Sequence, residues 1–184
     1  MRDVGKGTTA PRNRFTAWFL RGWTLPLAVA ALIMADNAWA GLAANPRQPV
    51  APSFSLPDLD GRTRTLNEFL GTKPIVLEFM SLGCPHCRDM APVLTRLHEV
   101  YGGRVVFLTV AFDRHAARVK AFAQVHGHPW CYLLGKDETA RAYALEGVPT
   151  FVFLGPDGRI RGVQVGSCPY EEFVQAIQGA LGAP

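Results

Sequence analysis

The chain has 184 residues, 48% of them hydrophobic, and its 19 Lys and Arg against 15 Asp and Glu leave a net charge of +4. Residues 1–40 carry five basic and two acidic side chains, so residues 41–184 hold 14 against 13, a net +1. The basic excess therefore sits almost wholly in the first 40 residues, and the remainder lacks the clustered basic face that nucleic-acid binding needs.

Within the first 40 residues, Arg2, Lys6, Arg12, Arg14 and Arg21 make a basic region. An apolar run follows over residues 22–35, then Asp36 and Asn37, then Ala38-Trp39-Ala40. This is the layout of a secretory signal peptide, with Gly41 as the expected mature N-terminus. The run of 14 residues is shorter than the roughly 20 needed to span a bilayer. An uncleaved N-terminal membrane anchor is the alternative. Export to the periplasm, with secretion as the alternative, would put the four cysteines where disulfides persist. The remaining 144 residues fit one domain with a sizeable core, residues 51–184, behind a linker over 41–50.

Residues 45–52 are polar and Pro-rich and read as lead-in chain. Residues 54–66 read as a short hairpin turning at Asp60-Gly61, with one helical turn over 67–70. Ile75–Met80 reads as a buried strand and 105–112 as another. Between them Met90, Val93, Leu94, Leu97 and Tyr101 recur at helical spacing, in a helix that contains Pro92. A second helix is expected over 116–126, a short strand at 131–134 and a third helix over 139–145. Two strands, 150–154 and 160–165, flank the turn signal Gly155-Pro156-Asp157-Gly158. A closing helix is expected over 170–181. Alternating helices and strands ending in a hairpin predict an α/β fold around a central mixed β-sheet flanked by helices.

The densest chemical signal is Cys84-Pro85-His86-Cys87, which joins the strand at 75–80 to the following helix. That spacing puts the first sulfur at a helix N-terminus, where unpaired N–H groups and the helix dipole favour thiolate over thiol. A second cysteine one turn later can resolve a mixed disulfide formed by the first, so the motif points to thiol–disulfide exchange at a redox-active disulfide. A structural disulfide is the bland alternative, but a four-residue loop gains little entropy from a crosslink. Metal binding by Cys84, Cys87 and His86 is a second alternative. Structural zinc normally takes four ligands, no second Cys-x-x-Cys is present, and no metal or other cofactor is expected.

These residues together resemble the thioredoxin-like fold, over residues 50–182. Pro92 stands five residues after Cys87, where that family has its kink proline; Gly147-Val148-Pro149-Thr150 resembles its cis-proline segment; Val165-Gly166 resembles the end of its last strand. The N-terminal hairpin and the inserted helix–strand of residues 116–134 look most like the TlpA/ResA branch. The text around Cys84 differs from that branch, which commonly has a tryptophan where Met80 or Gly83 stand, and is instead similar to DsbA. The resemblance implies Cys84 as nucleophile and Cys87 as resolving thiol, with Pro85 and His86 setting the redox poise. It implies an acid, here Glu78, that moves the proton of Cys87. It also implies a cis Pro149 that, with the Val148 backbone and Gly166, forms the surface for an extended substrate segment. The alternatives are that Glu78 pairs with Lys73, that His86 is an indifferent surface residue, and that Pro149 is an ordinary trans turn proline.

Cys131 and Cys168 are expected at opposite sheet edges, too far apart to bridge within the roughly 7 Å limit on Cα separation. Cys131 reads as a buried apolar residue, and Cys168 as an accessory thiol near the site or an intermolecular partner. His98, His115, His126 and His128 show no ligand spacing and are expected at the surface.

The function this supports is an exported oxidoreductase exchanging disulfides with protein thiols, served by a membrane or soluble redox partner. Direction stays open: the scaffold resemblance implies a reductase, the Pro-His dipeptide an oxidant. Peroxide reduction of the peroxiredoxin type and a copper-binding chaperone are the competing readings. The first wants a lone peroxidatic cysteine with a nearby hydroxyl and arginine. The second wants a Cys-x-x-x-Cys pair, one residue longer than the spacing here.

Overall fold

The computed structural model describes residues 48–182; the expected leader over residues 1–40 lies outside them. Five strands make one mixed sheet in the order β5-β4-β3-β6-β7. They are β3 (Ile75–Met80), β4 (Val106–Ala111), β5 (Cys131–Leu134), β6 (Thr150–Leu154) and β7 (Ile160–Val165). The pairs β3–β4 and β4–β5 are parallel, and β3–β6 and β6–β7 antiparallel. All six residues of β3 are buried, as expected of a central strand covered on both faces. Helices α1 (Pro85–Tyr101), α2 (Ala116–Val125), α3 (Asp137–Ala142) and α4 (Tyr170–Leu181) cover the sheet.

Period-two alternation divides the core. On β3, Ile75, Leu77 and Phe79 join Phe54, Leu56 and Leu66 from the lead-in region on one face. Val76 on the other face packs with Met90, Leu94 and Leu97 of α1 and Phe173 and Ile177 of α4. Glu78 shares that second face. Proline at 92 leaves the Arg88 carbonyl without its usual helical donor.

The expected hairpin forms as β1 (Ser55–Pro57) and β2 (Thr63–Thr65), with Gly61 at φ +82° in the turn. An isolated bridge from Asp58 to Leu133 fastens it to the β5 edge. A 3-10 turn, Leu66–Phe69, follows. The lead-in chain is paired from Gln48 onward, within the segment read as a linker. The Pro49 carbonyl accepts from Ile160 N–H at 2.9 Å, and the Arg159 guanidinium donates to the Gln48 carbonyl at 2.7 Å.

Two expectations need correction. The third helix runs Asp137–Ala142 rather than 139–145. Asp137 and Glu138 suit its positive N-terminal end, and Ala144 at φ +48° stops further helix. Of the four histidines expected at the surface, only His115 is fully exposed. His98 and His126 are half-buried and His128 is buried, because its ring nitrogens find partners inside the fold.

Candidate active site

The turn between β3 and α1 is held by three side chains. Asp113, just past β4, accepts the Leu82 N–H at 2.9 Å; Ser81 Oγ accepts the Gly83 N–H at 3.2 Å; Arg88 Nη1 donates to the Leu82 carbonyl at 2.9 Å. Cys84 is the N-cap of α1, and its Sγ accepts the Cys87 N–H at 3.3 Å. Pro85 occupies the first helical position, where its missing N–H costs nothing. Both cysteines are free thiols.

Cys84 is half-buried, and its thiol donates to the Val148 carbonyl at 3.2 Å. The Val148–Pro149 peptide is cis. Gly166, at φ +82°, donates its N–H to the Pro149 carbonyl at 2.8 Å. The expected groups Cys84, Val148, Pro149 and Gly166 thus meet at one end of the sheet. The Gly166 N–H is already committed to Pro149.

Cys87 is buried, 1% exposed. Burial, the neighbouring Cys84 sulfur and Glu78 push its thiol pKa upward. Glu78 is 3% exposed, and its charge is near enough to Cys87 to help raise that thiol's pKa. Burial raises its pKa to about 7, against the opposing pull of a hydrogen bond that Thr109 Oγ1 donates at 2.9 Å. Lys73 does not pair with Glu78, and among the described residues Glu78 makes no ion pair. His86 lies 70% exposed at its side chain, with Nδ1 4.0 Å from Asp89. It makes no hydrogen bond to Cys84.

Cys131 stands on β5, one sheet edge, and Cys168 follows β7 at the other, packed against the α1–α4 core. Each is a half-buried free thiol. Among the described residues, no three His, Cys, Asp or Glu side chains are grouped to hold a metal ion. Sequence reasoning missed Asp113, Arg88 and Thr109. Thr109 had a signal, as the one polar residue in an otherwise apolar strand. Asp113 and Arg88 had none, because their contacts are made across the fold.

A dithiol at a helix N-terminus, facing a cis-proline on a mixed sheet, defines a thioredoxin-like thiol–disulfide oxidoreductase. The chain belongs to the AhpC/TSA family, whose model matches residues 48–163. It is similar to the thiol-disulfide oxidoreductase ResA of Geobacillus thermodenitrificans, 26% identical over 130 residues, 70% of this chain and 74% of that one. It is also similar to the thiol:disulfide interchange protein DsbE of Pseudomonas aeruginosa, 32% identical over 154 residues, 77% of this chain and 82% of that one. Among solved structures, a putative DsbE from Chlorobium tepidum superposes with a TM-score of 0.67. It is 25% identical and covers 73% of this chain and 97% of its own.

Proposed function

We propose that this oxidoreductase exchanges disulfides with protein thiols through Cys84 and Cys87. The Cys84 thiolate attacks one sulfur of a substrate disulfide, that S–S bond breaks, and the displaced thiolate leaves and takes up a proton. Cys87 then gives its proton to Glu78 and attacks Cys84 Sγ. The mixed disulfide breaks, the second substrate thiolate departs, and the Cys84–Cys87 disulfide holds the two-electron oxidation. Run backward, the same steps oxidise a substrate dithiol. Val148, Pro149 and Gly166 would bind the extended segment around the substrate cysteine.

The observation that carries this reading is the Cys84 thiol, half-exposed and 3.2 Å from the Val148 carbonyl, with Cys87 buried one turn behind it. Its test is trapping. Reduced C87S mixed with a disulfide-bonded peptide should accumulate a covalent adduct at Cys84, and C84S should form none. An adduct on Cys131 or Cys168 instead would defeat it.

Residues 1–40 would direct export, with a membrane or soluble partner returning Cys84–Cys87 to its starting state. A mature N-terminus at Gly41, read by mass spectrometry on protein from the exported fraction, supports cleavage. An intact N-terminus in the membrane fraction marks an anchor. Direction follows from the reduction potential in glutathione buffers: near about −120 mV the pair is an oxidant, and near or below about −250 mV it is a reductase.

A further inference from the structure

The buried His128 belongs to a chain of polar groups that ends at Glu78. Strand register sets Glu78 beside Thr109 and Thr109 beside Tyr132, so three polar side chains cross β3, β4 and β5 in one row. Thr109 Oγ1 donates to Glu78 Oε2 at 2.9 Å and accepts from Trp130 Nε1 at 3.0 Å. Thr109 and Tyr132 are register partners on β4 and β5, so the phenol is the next polar group along the row; with its hydrogen given to Glu78, Thr109 makes no hydrogen bond to it. Tyr132 Oη lies 2.5 Å from His128 Nδ1, and His128 Nε2 lies 3.1 Å from the Ala91 carbonyl of α1.

Donor and acceptor arithmetic orients this chain. The Ala91 carbonyl can only accept, and the Thr95 hydroxyl, also 3.1 Å from Nε2, gives its hydrogen to the His126 carbonyl at 2.9 Å, so His128 Nε2 carries the hydrogen. Burial, helped by His126 and His98, lowers the His128 pKa to about 4, so the ring is neutral and Nδ1 is an acceptor. Tyr132 therefore donates its hydrogen to His128, and its oxygen stands ready to accept from Thr109.

We propose that Thr109 is a two-position hydrogen-bond switch for Glu78, and that Tyr132, oriented by His128, supplies its second position. With Glu78 ionised, the Thr109 hydroxyl donates to the carboxylate. When Glu78 takes the proton from Cys87, the new carboxyl O–H donates to Thr109 Oγ1, and the Thr109 hydrogen turns to Tyr132 Oη. Thr109 then accepts from Glu78 and Trp130 and donates to Tyr132, which its two lone pairs and one hydrogen allow. No bond other than the Cys87 S–H is broken, and both protonation states of the buried acid are left without an unsatisfied partner. Thr109, Tyr132 and His128 are positioning residues. The titratable groups against Glu78 are Cys87 from α1 and Tyr132 from β5, while its neighbour on β6 is Phe151.

The inference rests on Glu78 as the proton acceptor for Cys87, but its test needs no turnover. The Glu78 carboxyl is titrated by 13C NMR in the reduced full-length protein. T109V removes the donor to the carboxylate and should raise the Glu78 pKa by about one unit. Y132F keeps the ring but removes the acceptor used in the neutral state, and should lower it by about half a unit or more. T109S keeps the hydroxyl and should leave it near the wild-type value. Opposite shifts from T109V and Y132F support the switch, because a loss of packing has no reason to give both signs. An unchanged Y132F, shifts of one sign, or a T109S shift as large as T109V overturns it. 15N spectra should show His128 protonated at Nε2 from pH 5 to 8; a proton on Nδ1 overturns the orientation. Failure of the exchange reading itself would appear separately, as absence of the C87S adduct.

Discussion

Replacing Glu78 by Gln should make this protein progressively more stable relative to the wild type as pH rises, while slowing disulfide exchange. The ordinary glutamate pKa of 4.5 rises to about 7 in the fold, chiefly from burial. An acid whose folded pKa is raised binds its proton more tightly folded than unfolded. The wild type is thus unpenalised below about pH 4.5, loses stability as pH rises toward 7, and keeps that penalty above it. The gap of about 2.5 pH units, at about 1.36 kcal/mol each, gives roughly 3 kcal/mol. Gln cannot ionise, and whatever its amide costs in packing is independent of pH. The assay is urea unfolding of both reduced proteins from pH 4 to 8.5. The difference in unfolding free energy, E78Q minus wild type, should climb by roughly 3 kcal/mol across that range. Resolution of the mixed disulfide should slow by about 10²-fold or more at pH 7, as loss of a general base predicts. A difference that stays flat with pH, or falls as pH rises, would refute the reasoning.

Asp113 holds the Leu82 N–H of the active-site turn at 2.9 Å. D113A should cost about 1–2 kcal/mol and slow the first attack by Cys84, read by denaturation and stopped-flow exchange. Gly166 has φ +82°, and an added Cβ would meet nothing within 4 Å, so G166A isolates backbone strain. It should destabilise by about 1–2 kcal/mol on unfolding and weaken peptide binding beside Pro149, whose carbonyl the Gly166 N–H holds. Leu97 is wholly buried between α1 and the sheet. L97A should lose about 2–5 kcal/mol in the same assay, with the rate of exchange per folded molecule unchanged.

Much of the fold was legible because its strands are short apolar runs between strong turn signals. Ile75–Met80, Cys131–Leu134, Thr150–Leu154 and Ile160–Val165 stand where alternation and flanking glycines and prolines set them. The closing helix Tyr170–Leu181 follows its apolar spacing just as closely. The third helix begins two residues ahead of its weak apolar periodicity because Asp137 and Glu138 suit the positive end of a helix. The pair Cys84 and Cys87 announced itself through local spacing, since a strand and a helix on either side suffice to orient two sulfurs.

What the sequence determined by itself was therefore local: the order of elements, the dithiol at a helix start, and an acid inside an apolar strand, with Lys73 left open as its partner until the fold excluded that pair. Tertiary structure alone decided what surrounds them. Glu78 finds Thr109 thirty-one residues away, Leu82 finds Asp113, and Cys84 finds the Val148 carbonyl sixty-four residues on. It also decided that His128 is a neutral core residue rather than a surface one. Strand register across β3, β4 and β5 sets which polar groups share a buried row, and register is a property of paired strands that no single segment carries.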